Sequence, residues 1–306
     1  MKFIFHIILK LTFLASLMPY LLSEKIYNKY EVRINPQVQD SLYYSGKERG
    51  QVDPKLLNEA SGIAASRTYD NLLYTHNDSG GEPIIYKLDS MGNSIGKIKL
   101  LNTHNRDWED IAVGPGGDEG KSYIYVGEIG DNEAQYHSIK LLRFEEPNAD
   151  ESEVEVEPEV IKLIYPDGAK DAETLMVDPW NGDVYIVSKR DSSNILYRAP
   201  VDQLREQEEL ELEKIEKLPI TMSVGGDISP DGKEIIIKNY WVVYHWERNE
   251  GESLAEALSR NPVQLPYVPE PQGEAIGFAK NGNSYFSLSE ERFRIKPILY
   301  QYYKKQ

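Results

Sequence analysis

Past its first two dozen residues the chain shows almost no helical spacing of apolar side chains. Short apolar runs alternate instead with turn signals, a pattern that predicts strands and an all-β fold. Five pairs of runs follow one plan, in which an acidic or small start leads to an apolar strand, a turn and a second strand. The pairs are 59–65 with 72–78, 108–114 with 123–128, 171–177 with 183–189, 225–229 with 234–238, and 273–278 with 284–290. Third strands are predicted at 84–88, 139–144, 195–198, 242–246 and 298–302. Asn181-Gly182, Asp231-Gly232 and Asn281-Gly282 separate first from second strands and suit two-residue hairpins. Only 252–260 reads as a short amphipathic helix, and the charged stretch 201–213 as a helix or a solvated loop.

The repeat decides between all-β architectures. Its markers, Glu59, Glu109, Glu173, Asp227 and Glu274, lie 50, 64, 54 and 47 residues apart. A four-stranded propeller blade takes about 40–50 residues. The expectation is a β-propeller of five blades, each of four antiparallel strands, spanning residues 23–306. An acidic insert, 148–159, accounts for the long interval. The segment before Glu59 is expected to supply the outer strand that closes the ring. Two unrelated sandwiches would not repeat a strand plan in this way.

Composition narrows the function. The 306 residues carry a net charge of −16, which argues against unspecific binding to nucleic acid or anionic lipid. The chain has no cysteine, so disulfides, thiolate metal sites and cysteine nucleophiles are excluded. Lys2 and Lys10 precede a mainly apolar run, Leu11 to Leu22, that is short for a membrane span. It reads as a signal peptide, residues 1–22, and predicts a secreted or periplasmic protein with no stable membrane span after cleavage.

In a blade the first strand begins, and the second ends, at the same face. Glu59, Glu109, Glu173, Asp227 and Glu274 are therefore expected to ring one mouth of the central channel, joined by His76, Asn77, Asp78, Glu128, Asp131, Lys189, Arg190, Lys238 and Glu290 from the second strands, with Arg106, Asp107 and Asp110 beside them. Carboxylates converging on one axis repel one another unless pairing, protonation or a cation relieves them. A hard cation such as Ca²⁺, which takes six to eight oxygens, fits such a ring better than zinc, for which only His76 is well placed. Lys189 and Lys238 are read either as salt-bridge partners of the ring or as receptors for an anionic ligand beside the metal. His76 is a candidate base or simply a structural residue.

Several short stretches resemble a known family. The EASGI run from Glu59, ETL from Glu173, QGEAI from Gln272 and SLSEE from Ser287 are similar to the exported propellers named SdiA-regulated and to the related phytase-like propellers. HNDSG from His76, DWEDIA from Asp107 and GDN from Gly130 resemble a bacterial subgroup of secreted proteins. The resemblance implies an exported propeller with an acidic, calcium-binding centre, and the calcium-phytase pattern is not matched residue by residue. Two functions stand foremost: a module binding a small anionic or sugar-like ligand at the metal-bearing mouth, and a metal-dependent hydrolase of a phosphoester or lactone. A scaffold binding a protein partner on the outer blades is a third, since propellers host all three.

Overall fold

The computed structural model describes residues 38–306 except 207, 208 and 293, so the signal-peptide reading lies outside the described residues. Strand β1 (Lys47–Gln51) precedes the ring proper. Blade 1 follows as β2 (Ala60–Ala65), β3 (Leu72–Asn77), β4 (Ile84–Asp89) and β5 (Ser94–Leu100). Blade 2 begins with β6 (Trp108–Pro115), β7 (Ser122–Glu128) and β8 (Ile139–Glu145). The acidic insert then forms β9 (Glu153–Val156), which returns to pair parallel to β5, before β10 (Glu159–Ile164) resumes blade 2. Blade 3 comprises β11 (Ala172–Val177), β12 (Val184–Ser188), β13 (Ile195–Ala199) and β15 (Glu213–Lys217). Between its last two strands the predicted helix-or-loop stretch splits into helix α1 (Val201–Glu206) and β14 (Glu209–Glu211), which extends blade 2.

Blade 4 is β16 (Gly225–Ile228), β17 (Glu234–Lys238), β18 (Val243–Glu247) and β19 (Val263–Leu265). The predicted helix within it is α2 (Leu254–Leu258), started by a capping box of Ser253 and Glu256. Blade 5 is β20 (Gly273–Phe278), β21 (Ser284–Ser289) and β22 (Ile298–Tyr303), completed by β1 antiparallel to β22. The five predicted blades and the predicted closing strand are thus present. The predicted two-residue hairpins are longer. Hydrogen bonds from Asp178 to Asp183 (2.9 Å), Ser229 to Glu234 (2.8 Å) and Ala279 to Ser284 (2.8 Å) each close a four-residue loop, with Gly182, Gly232 and Gly282 at positive φ.

The apolar residues form five cores, one at each seam between neighbouring blades. Blades 1 and 2 enclose Tyr74, Trp108 and Ile111, and blades 2 and 3 enclose Tyr125, Leu175 and Ile186. Met176 packs with Ile235 and Trp246 between blades 3 and 4. Tyr285 packs with Ile236 between blades 4 and 5, and Phe286 with Leu73 where the ring closes. Each fully buried Leu, Ile or Val adds about 1.5–3 kcal/mol of hydrophobic stabilisation, so each seam leans on both of its blades. No described helix is long and apolar enough to cross a membrane.

Candidate functional site

The inner strands β2, β6, β11, β16 and β20 surround the axis, and a β-bulge marks the same end of four of them. The register with the second strand slips at Glu109, Glu173 and Glu274, and between Ala60 and Ile63 in blade 1. A bulge re-aims the side chain that it carries. Three of the five ring residues read from the sequence, Glu109, Glu173 and Glu274, occupy it and are buried at this mouth.

Glu59 and Asp227 stand elsewhere. In blade 1 the equivalent of Glu109 is Ser61, whose hydroxyl donates to the Glu109 carbonyl (2.5 Å), and Glu59 lies two residues earlier on the rim. Blade 4 has no bulge, and its Gly225 pairs with Lys238. Asp227 therefore sits deeper in the channel. There it accepts from the Phe278 (2.8 Å) and Ile228 (2.8 Å) amides and pairs with Arg67 at 3.3 Å. Above it the buried Asp110 accepts from Leu175 (2.9 Å), Ile111 (2.9 Å) and Gly226 (3.4 Å). Asp110 and the Asp227–Arg67 pair fill the channel below the mouth, which is therefore a cup.

The cup brings together carboxylates in two overlapping triads, Asp78–Asp107–Glu109 and Glu109–Asp171–Glu173, each with oxygens within 4.8 Å of one another. Their environments differ. In the second, Glu173 is paired with Lys189, and Asp171 takes Arg190 and the Asp131 amide (3.0 Å). In the first, no side chain has an ion-pair partner or hydrogen-bond donor among the described residues, and Asp78 Oδ1 is buried and unpartnered. Burial, then Glu274, Asp107, Glu290 and Glu59, push the Asp78 carboxyl up to about 7. Burial, then Glu173, Asp78 and Asp107, hold Glu109 well above the ordinary carboxylate range. Gly130 makes the cluster possible: a Cβ there would lie 2.2 Å from Glu109 Oε1 and 2.4 Å from Asp107 Oδ2.

The second-strand residues take varied roles. His76 is fully buried, edge-on to Trp108 at 5.7 Å, with Nδ1 against the Asn77 carbonyl (3.0 Å). Burial lowers its pKa to about 4, so it is a neutral wall residue, and Asp78, two residues on, reaches the cup instead. Glu128 is buried with Lys140 at 2.8 Å and Arg106 at 3.8 Å. Lys189 pairs with Glu173 and donates to Tyr240 Oη (3.0 Å), which in turn donates to Glu274 Oε1 (2.8 Å). Lys238 is sealed in the wall, donating to the Gly273 carbonyl with its Nζ 4.8 Å from the Tyr267 ring centre. Burial lowers Lys238 to about 8, while burial raises its neighbour Glu270 to about 7. Glu290 lies at the rim on Arg292 (2.7 Å), raised to about 7 by burial and by Glu274.

Asp78 and Asp107 lie at the mouth as expected, whereas Asp171 is not among the expected site residues. It carries a signal in the sequence: it stands two residues before its bulged glutamate, as Asp171-Ala172-Glu173, just as Asp107 does in Asp107-Trp108-Glu109, and Glu59-Ala60-Ser61 is the same frame in blade 1.

Among known proteins, no family model matches the chain and no curated protein matches its sequence. Solved structures do match. The calcium-binding protein regucalcin from Agrobacterium tumefaciens superposes with a TM-score of 0.51 at 12% identity, covering 83% of this chain and 94% of that one. A luciferin-regenerating enzyme gives 0.45 at 11%, covering 83% and 92%. The aldose sugar dehydrogenase of Streptomyces coelicolor gives 0.47 at 8%, covering 89% and 100%. The chain is a β-propeller. At these identities the likeness is one of fold alone.

Proposed function

We propose that this protein is an exported propeller of the SdiA-regulated and phytase-like kind. In this reading it holds a calcium ion at Asp78, Asp107 and Glu109 and binds a small ligand over it. The observation that carries the reading is the first triad: three carboxylates gathered at the mouth with no salt bridge or hydrogen-bond donor, Arg106 acting on Asp107 only from beyond contact. Such a group is unfavourable when ionised, and a divalent cation relieves it. The donors are all oxygens, and the one nearby histidine is walled off, which favours calcium over zinc. Glu173, whose Oε2 is buried and unpartnered, and Asp171 border the ion. Regucalcin, named as calcium-binding, agrees with this reading. When bound, the ion supplies a Lewis-acidic centre open to ligand oxygens. The chain's own part is to fix the carboxylates on bulged strands, shut the channel beneath them and limit access to one side.

The second reading, a metal-dependent hydrolase of a phosphoester or lactone, is favoured by Glu290, which stands at the rim outside the triad. Its carboxyl, raised to about 7, exchanges a proton near neutral pH. Calorimetric titration of metal-stripped protein tests the calcium site: calcium should bind the wild type and fail to bind Asp78→Asn and Glu109→Gln. Turnover of phosphomonoesters, phosphodiesters or lactones only when calcium is present would decide for the hydrolase.

A further inference from the structure

The cup has an excess of acceptors and few cations free to meet a ligand. Lys189 is held by Glu173, Arg190 by Asp171, and Lys238 is enclosed in the wall. Carboxylates only accept hydrogen bonds when ionised. A phosphate or carboxylate ligand, also an acceptor, could reach a bound cation but would have no donors for the carboxylates around it. Hydroxyl groups can donate to the carboxylates and also offer lone pairs to a hard cation.

A second observation lies on the rim. Trp241 is the most exposed large apolar side chain among the described residues, at 69%. It follows Tyr240, the residue that bridges Lys189 and Glu274, so its turn stands at the edge of the cup. The turn is fixed: Asn239 Oδ1 accepts from the Trp241 (2.9 Å) and Val242 (2.8 Å) amides, and the Asn239 amide donates to the Val242 carbonyl (3.0 Å). The Trp241 ring stands edge-on to Tyr240 at 5.8 Å and is otherwise largely bare to solvent. On blade 2, Tyr136 is also exposed at this mouth, its ring covered by the Arg106 guanidinium at 4.1 Å. Holding a rigid indole in water costs free energy that a flat apolar partner would recover. The third observation is Glu173 Oε2, buried in the cup with no hydrogen-bond partner.

We propose that Trp241 is the stacking platform for an uncharged pyranose-type sugar, whose hydroxyl oxygens point into the acidic cup. The C–H face of the ring covers the indole, and the hydroxyls on its edge meet Glu173 and the cation site. This inference rests on the calcium reading above and specifies its ligand. Sugar phosphates and uronates, which bring negative charge to the same carboxylates, are disfavoured.

The test uses the purified full chain, with calcium alone as the first probe and a set of neutral methyl pyranosides, hexose 6-phosphates and hexuronates as the second. Calcium binding is followed by calorimetry and sugar binding by tryptophan fluorescence and calorimetry, for the wild type, Trp241→Ala and Trp241→Phe. The expected result is that at least one neutral pyranoside binds more tightly than its charged analogue. Trp241→Ala should weaken it about tenfold, Trp241→Phe should weaken it less, and both variants should bind calcium as the wild type does. Three results overturn the inference while leaving the calcium site standing: no neutral pyranoside bound by the calcium-loaded wild type, charged sugars preferred, or an unchanged affinity in Trp241→Ala. A wild type that binds no calcium overturns the earlier reading instead.

Discussion

The Tyr240 hydroxyl donates to Glu274 Oε1 at 2.8 Å across the seam between blades 4 and 5. It also accepts a hydrogen bond from Lys189 of blade 3 at 3.0 Å. One phenol thus links three blades at the cup and leaves Glu274 no need of a metal. Tyr240→Phe removes the link while keeping the ring. The expected loss is about 1–2 kcal/mol of stability, typical of a buried hydrogen bond with a charged partner, with little change in calcium affinity. Chemical denaturation and calorimetric titration of the variant measure the two effects separately.

The two groups of carboxylates should respond to mutation in opposite ways. Glu109→Gln lies in the cluster that lacks basic partners, so it should abolish the rise in melting temperature that calcium produces. Asp227→Asn leaves Arg67 largely buried without its counter-ion. It should cost about 3 kcal/mol or more and leave the calcium-induced rise intact. Thermal melts of both variants, with calcium and with chelator, check the contrast; a calcium response lost in Asp227→Asn would place the ion at the wrong level.

Acidity provides a third check. Asp78 and Glu290 have folded pKa values of about 7, above those of an unfolded chain. Between about pH 4 and 7 the metal-free native state therefore holds protons that the unfolded state has released. Stability contributed by these groups is full below the unfolded pKa and is lost as pH rises through the folded one. The metal-free protein should weaken between pH 5 and about 7.5. Calcium should restore most of that loss, and its affinity should fall as the medium is acidified. Melting temperature against pH, with and without calcium, shows whether the two curves diverge in this direction.

Gly130→Ala places a methyl group against Glu109 Oε1 and Asp107 Oδ2. The fold should survive, because the neighbouring carboxylates can swing outward, but the triad should open and calcium affinity fall at least tenfold. Far-ultraviolet circular dichroism and calcium titration of the same sample test both halves.

The ring of blades was legible because each blade repeats an apolar strand pair at a propeller's spacing, and the seam cores reuse those same residues. The metal cluster was only half legible. Glu109 and Glu173 stood out as repeat markers, but a one-residue bulge decides which side chain enters the cup, and a bulge leaves no residue of its own in the sequence. Glu59 was therefore placed two positions out of frame and Asp227 a full pleat too high. For His76 the sequence left two roles open, and the structural one fits: Trp108 of the next blade closes over it. Asp78 and Asp107 were legible as neighbours of the mouth, but Asp171 needed the blades aligned residue by residue, after which the Asp-x-Glu frame it shares with Asp107 is plain.

The pairing of β1 with β22 joins Lys47 to Gln301, almost the whole chain apart. Tyr43 reinforces it by donating to Glu234 (2.8 Å), which Lys304 also reaches. No earlier part of the chain can complete blade 5, because the outer strand waits for partners synthesised last. Contacts of such long range make for slow folding. Until they form, β20 has no finished blade behind it, and Glu274 has no fixed place in the cup. The blade 5 wall of the cup is thus expected to set only as the ring closes, whereas the triad of blades 1 and 2 draws on strands made much earlier.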